Sequence, residues 1–176
     1  FHAMPPLTTS SGRPTGAIKG VSNMMMSLKN GNDGSSVITV FDAKGKTFRS
    51  DIYPDYKANR PPMPDELRLQ LDPIKSICKA IGFPIVEIGG VEADDVIATI
   101  AEMAKGRGYS CVISSLDKDL MQLVADPVVS MINTMTNKKF NEKDVIDKFG
   151  VKPSQIRDML APVSYTHLRA HETVAN

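Results

Sequence analysis

Little in this chain points to thiol chemistry, to secretion or to a membrane. Cysteine occurs twice in 176 residues. Cys78 and Cys111 stand far apart in apolar stretches without metal-ligand spacing, so they read as buried reduced thiols rather than a disulfide or a zinc site. No apolar run approaches the roughly 20 residues that a spanning helix needs, and no charged, apolar, small-residue leader opens the chain. The expected setting is cytoplasmic, with no membrane partner. Net charge is only +1. That balance excludes the chain as a basic nucleic-acid binder over its whole surface and confines any such surface to a local stretch. Internal repeats and low-complexity tracts are absent.

Histidine is also scarce, with three in the chain. His167 and His171 stand i,i+4 like a zinc pair, but they fall in Pro162-Val163-Ser164-Tyr165-Thr166-His167-Leu168-Arg169-Ala170-His171-Glu172-Thr173. That dodecapeptide resembles the translated transposase-end adapter of sequencing libraries. Residues 162–176 are therefore expected to be a non-native tail and are set aside from fold reasoning. The chain opens on Phe1-His2-Ala3 without an initiator Met, so further sequence is expected upstream.

What remains suits one domain, residues 1–161, large enough to bury a core. Pro5 to Pro14 reads as a loop. Ile18, Val21, Met25 and Leu28 form one stripe of a helix from about Thr15 to Leu28. Gly31-Asn32-Asp33-Gly34 is a turn, and Val37 to Phe41 a short buried strand. Pro64-Asp65-Glu66 opens a helix with acids at its positive end; Leu67, Leu71, Ile74, Cys78 and Ile81 make its apolar stripe and Gly82 ends it. Pro84 to Ile88 is a strand, Gly89-Gly90 a turn, and Val91 to Lys105 a helix. Tyr109 to Ser114 is a strand, Leu120 to Val124 a short helix, and Val128 to Met135 another strand. Asn141 caps a helix that runs to Phe149 and stops at Gly150, and a last helix begins at Pro153. Strands alternating with helices predict an α/β fold with a mainly parallel sheet flanked by helices.

Against that frame, six carboxylates stand out. Asp42 follows the first strand, Glu92, Asp94 and Asp95 open a helix, and Asp117 and Asp119 follow the third strand. In an open α/β sheet, residues just past the carboxyl ends of strands gather in one crevice. Acids crowded there repel unless cations sit between them, which predicts a site for a hard, oxygen-loving metal. Two such ions can activate water and stabilise the leaving oxygen in phosphodiester cleavage. Each group alone has an ordinary explanation. Acids favour a helix's first turn, Asp117 and Asp119 suit a cap, and Asp42 suits a turn. Their conjunction at successive strand ends carries the metal expectation.

One stretch is locally basic. Between Ala43 and Pro64, Lys44, Lys46, Arg49, Lys57 and Arg60 are interleaved with Phe48, Tyr53 and Tyr56, and no clean periodicity appears. Rings among cations suit stacking on unpaired bases and contacts to phosphate, and a solvated loop of mixed charge is equally compatible, since Asp51 and Asp55 offset part of the charge.

Phe41-Asp42-Ala43-Lys44-Gly45-Lys46-Thr47-Phe48-Arg49, Tyr56-Lys57-Ala58-Asn59-Arg60-Pro61-Pro62-Met63-Pro64, Gly90-Val91-Glu92-Ala93-Asp94-Asp95, Asp117-Lys118-Asp119 and Ile132-Asn133-Thr134-Met135-Thr136-Asn137 together resemble one family. It is the 5′–3′ exonuclease domain at the N-terminus of bacterial DNA polymerase I, a flap-endonuclease relative with a PIN-like three-layer fold. The resemblance covers Phe1 to Ala161. It implies a Mg2+-dependent nuclease with two metals, with Mn2+ as an expected substitute, that trims DNA 5′ ends and flaps and RNA primers in replication and repair. It implies metal binding by Asp42, Glu92, Asp94 and Asp95 in one region and by Asp117 and Asp119 in a second. It gives Lys57 and Arg60 a catalytic role at the scissile phosphate, with Lys44, Lys46, Arg49 and Tyr56 joining them in binding nucleic acid. It further implies nicked or flapped duplex as partner and a monomer working at the nucleoid, with either a linked polymerase domain in the intact gene or a freestanding nuclease.

The chain also departs from the family's pattern. The family's first strand and its metal-binding Asp would precede Phe1, and a Gly-Asp-x-x-Asp-Asn stretch and a helix-hairpin-helix clamp would follow Ala161. Leu116 stands where the family usually has Gly. A fragment with its first strand missing is therefore expected to bind metal weakly, to cleave poorly or not at all, and to aggregate readily. Two alternatives remain: a module that holds flaps without cutting, and a PIN-like ribonuclease.

Overall fold

The computed structural model describes residues 7–31 and 35–160. The turn expected at residues 32–34, the start of the chain before residue 7, and the tail 162–176 with His167 and His171 lie outside the described residues. The chain divides into two compact units, Phe1–Val96 and Ile97–Asn176.

In the first unit, helix α1 (Gly16–Gly31) packs against helix α3 (Asp65–Ile81). Ala17, Ile74 and Cys78 are buried between them, with Ile18, Val21, Met25 and Leu67 around them. The expected apolar stripe of α3 is modified at one turn, because Gln70 is 1% exposed while Leu71 is only half-buried. Gln70 earns its burial through two hydrogen bonds. The backbone N–H of Ile18 donates to its Oε1 at 3.1 Å, and its Nε2 donates to the Glu66 carbonyl at 2.9 Å. One of the donors that every helix start leaves without an intrahelical partner is thereby satisfied from the neighbouring helix. At the other end Gly82 takes φ +93, and its N–H returns to the carbonyls of Cys78 and Lys79. A side chain would be strained in that left-handed turn.

Strands β1 (Thr39–Val40) and β2 (Ile85–Val86) pair in parallel, Thr39 opposite Ile85 and Val40 opposite Val86. The ladder is shorter than the apolar runs around it. It is extended by single bonds from Thr39 N–H to Pro84 O and from Phe41 N–H to Val86 O. Pro84 itself has no N–H to contribute. Helix α2 (Phe48–Ile52) forms within the stretch that showed no periodicity. It is too short for a repeating stripe, and its start is fixed by a bond from Phe48 N–H to the Gly90 carbonyl.

Helix α4 (Ala93–Gly106) leads into the second unit, where β3 (Cys111–Ser114) runs parallel to β4 (Val129–Asn133) and β4 antiparallel to β5 (Lys138–Phe140). β5 follows a turn that the sequence reading did not mark. Asn133 Oδ1 accepts the N–H groups of Met135 and Thr136, and Asn137 takes φ +56. Asn is among the few side chains that tolerate both. Helix α5 (Glu142–Phe149) starts at a reciprocal cap between Asn141 and Asp144 and ends at left-handed Gly150, as expected. The buried core joins Val129 and Met131 of β4 with Phe140 of β5, Val145 of α5, Ile113 of β3 and Ile156. Among the described residues two of the three strand pairings are parallel, and the strands form two sheets, one in each unit. Among the described residues no helix is long and apolar enough to cross a membrane.

Candidate functional site

In the first unit, α2 and the turn after it bring Arg49, Tyr56 and Lys57 onto the acids that open α4. Asp42, just past β1, accepts the backbone N–H of Ala93 at 2.7 Å through Oδ1, tying the end of the strand to the start of the helix. Glu92 is the residue before that helix, and Asp95 lies in its first turn. Asp95 Oδ2 accepts the Glu92 N–H at 3.1 Å, so this carboxylate satisfies a donor at the helix start. The ordinary reading of the acidic first turn therefore holds for Asp95.

The same carboxylate is also gripped by Arg49 of α2. Nη1 reaches Oδ2 at 2.6 Å and Nη2 reaches Oδ1 at 2.7 Å, a two-pronged geometry that suits a planar guanidinium. Arg49 lies 3.7 Å from Glu92 Oε2 as well, and its guanidinium stacks over the Phe48 ring. Glu92 is closed from the other side. Lys57 Nζ donates to Oε1 at 2.6 Å, and the Tyr56 hydroxyl donates to Oε2 at 3.2 Å. Lys57 adopts φ +57, a left-handed conformation that a long side chain takes rarely and at some cost.

The charges respond to one another. The fork from Arg49 holds the Asp95 carboxyl below its usual range against some opposition from burial, and Asp95 in turn raises the Arg49 guanidinium above its ordinary value. Burial works to lower the Lys57 ammonium, but its bonds to Glu92 and Tyr56 outweigh that and raise it. Lys44, Lys46 and Arg60 are exposed, and their side chains make no ion pair among the described residues. The basic stretch thus divides into cations seated on the acids (Arg49, Lys57) and cations facing solvent. Asp94 is exposed.

In the second unit, Asp117 caps the 3₁₀ turn Lys118–Leu123, accepting the Asp119 N–H through Oδ1 at 2.9 Å. Its own N–H donates to Ser115 Oγ at 3.0 Å. Asp117 and Asp119 are both exposed, and Asp119 offers its backbone carbonyl to Gln122. Leu116 is exposed beside them.

Among the described residues, no three Asp, Glu, His or Cys side chains are grouped as a metal cage. The donor chemistry of Asp42, Glu92, Asp94 and Asp95 suits a hard divalent ion. The present contacts do not leave all of it open, because Arg49, Lys57 and Tyr56 occupy the oxygens of Asp95 and Glu92. Sequence reasoning placed Arg49, Tyr56 and Lys57 among nucleic-acid contacts and missed that they hold the acids. The partners lie 35 to 46 residues apart, so no local spacing announces them.

The architecture, parallel strands followed by acid-bearing turns and helices, is that of a PIN-like α/β domain. Its likeness to a solved structure bears this out. The phage T5 D15 protein, co-crystallised with metal ions, matches with a TM-score of 0.65 and 27% identity over 80% of this chain and 56% of that one. Residues 1–150 match the family described as 5′–3′ exonuclease, N-terminal resolvase-like domain, and the chain belongs to that family. It is 50% identical over 161 residues to DNA polymerase I of Pseudomonas aeruginosa, covering 92% of this chain and 18% of that protein. It is 48% identical over 163 residues to a 5′–3′ exonuclease of Aquifex aeolicus, covering 93% of this chain and 56% of that one. The chain therefore spans about half or less of the length of these relatives.

Proposed function

We propose that this chain acts as a metal-dependent 5′ nuclease domain, hydrolysing phosphodiester bonds at DNA 5′ ends and flaps and in RNA primers. The observation that carries the reading is the seating of Tyr56, Lys57 and Arg49 on the acids at the head of α4. It places groups that can hold a phosphate against groups that can hold a cation. Family membership over residues 1–150 supports the same reaction.

Asp42, Glu92, Asp94 and Asp95 would hold Mg2+ in the first unit, and Asp117 and Asp119 would serve a second ion. When bound, such ions supply a water activated for attack and stabilise the leaving oxygen. The chain's own cations do the rest. Lys57 and Arg60 offset charge that develops on the scissile phosphate. Tyr56 offers a ring for a base, and exposed Lys44 and Lys46 attract the backbone. A variant of the phage T5 flap endonuclease has been solved with DNA and metal ions, which supports DNA as the substrate. Action as a monomer at the nucleoid in the cytoplasm completes the proposal.

The test is single-turnover cleavage of a 5′-labelled flap with enzyme in excess, in Mg2+, Mn2+ and EDTA. Slow metal-dependent release of the flap, lost in Asp94→Ala, is the expected result, and fast release would overturn the expectation of a weakened site. Flap binding without cleavage in either metal would leave a holding module instead. A preference for single-stranded RNA would turn the assignment toward a ribonuclease.

A further inference from the structure

Arg49, Tyr56 and Lys57 do more than stand near the acids. Between them they engage both oxygens of Glu92 and both oxygens of Asp95, at distances of 2.6 to 3.2 Å. A divalent ion and these groups therefore compete for the same lone pairs. We propose that Tyr56 and Lys57 form a latch that closes Glu92 in the metal-free protein. Metal entry displaces the latch and turns the Lys57 ammonium toward the phosphate backbone. The inference rests on the metal-dependent reading above and adds to it an internal competitor for the metal and an order of events.

Three features support a latch that opens rather than a permanent strut. Lys57 is held at φ +57, so releasing its side chain also frees a backbone conformation that Lys rarely takes. Its side chain is 33% exposed against 15% for Glu92, so Lys57 is the more accessible partner of the pair. Turn 54–59, which carries both Tyr56 and Lys57, has no buried residue, so moving it disrupts no core. The Arg49–Asp95 fork differs. Asp95 also satisfies the Glu92 N–H, so that pair ties down the helix start and forms no part of the latch.

The consequence is coupling. By linkage, whatever draws Lys57 away from Glu92 raises affinity for metal, and metal raises the affinity of the freed cation for a phosphate by the same factor. Each of metal and nucleic acid then binds more tightly when the other is present, because either one alone must first open the latch.

The test uses the full chain with Mn2+, bound and free ion being counted by electron paramagnetic resonance, together with amine acylation read by mass spectrometry. In the metal-free protein Lys57 acylates slowly relative to Lys44 and Lys46. Saturating Mn2+ speeds Lys57 several-fold and leaves the other two unchanged. Lys57→Met binds Mn2+ about threefold tighter than the wild type, the scale of a partly exposed ion pair. Tyr56→Phe, which removes a hydrogen bond and no charge, shifts affinity the same way by less. Mn2+ binding that leaves Lys57 acylation unchanged overturns the latch and spares the metal reading. Absence of Mn2+ binding in the wild type and in both variants overturns the two together.

Discussion

Arg49 meets Asp95 as a planar fork, two bonds of 2.6 and 2.7 Å, and the same Asp95 oxygen that takes Nη1 also accepts the Glu92 N–H. One carboxylate thus joins α2 to the start of α4 and holds Glu92 in place. Both side chains are 31% exposed, so solvent screens much of the attraction. Arg49→Lys keeps the charge and loses the fork. It is expected to cost about 0.5–1 kcal/mol in urea unfolding, with Arg49→Ala costing more through lost stacking on Phe48. Equal stability of the Lys variant and the wild type would show that the fork contributes nothing.

The pH dependence follows with a definite sign. Asp95 lies below its ordinary range in the folded protein because of Arg49 first, then opposed by burial and aided by the Glu92 N–H. Its contribution is therefore complete above the unfolded carboxylate value of about 3.9 and is lost as pH falls through the lower folded value. Lys57 is raised, so its contribution is complete below the unfolded lysine value of about 10.4 and fades as pH rises through the folded one. Unfolding curves of wild type and Asp95→Asn should differ at neutral pH and converge in acid. Wild type and Lys57→Met should converge only in strong alkali. Parallel curves in either comparison would contradict the assigned shifts.

Gln70 offers a test of the first unit's core. It is 1% exposed, with Oε1 accepting from Ile18 N–H and Nε2 donating to Glu66 O. Gln70→Leu keeps most of the volume and leaves the Ile18 donor unsatisfied, an expected loss of about 1–3 kcal/mol. Calorimetric unfolding measures it, and a neutral outcome would mean that water replaces the amide.

These residues also show what could be read from the sequence. The stripe and end of α3, the Asn141 cap and Gly150 stop of α5, and the order of strands and helices follow from local spacing, which a chain displays residue by residue. Gln70 does not, because its burial is decided by a donor on α1, and side-chain polarity alone argues against it. α2 and β5 are too short to show a period, and their contacts are to distant backbone. At the site, the residue types in Glu92, Asp94, Asp95 and the Tyr56-Lys57 pair carried the expectation of metal and phosphate chemistry, and the long motifs marked the family. That Lys57 sits on Glu92 rather than on solvent is a tertiary fact. Opposite charges in one chain say only that pairing is available.

Asp117 separates structure from chemistry most cleanly. Its Oδ1 accepts the Asp119 N–H and so caps the turn that buries Leu120 and Met121, a task for which Asn serves about as well as Asp. Binding a hard cation is a task that Asn serves poorly, since the formal charge is gone. Asp117→Asn should therefore unfold within about 0.5 kcal/mol of wild type, whereas Asp117→Ala should lose about 1 kcal/mol. If Asp117 also holds metal, Asp117→Asn should depress metal-dependent flap cleavage as deeply as Asp117→Ala does. Cleavage retained in the Asn variant and lowered only in the Ala variant would make this residue a cap and nothing more. The second-metal role of Asp117 would then have to be withdrawn, while the acids of the first unit would be unaffected.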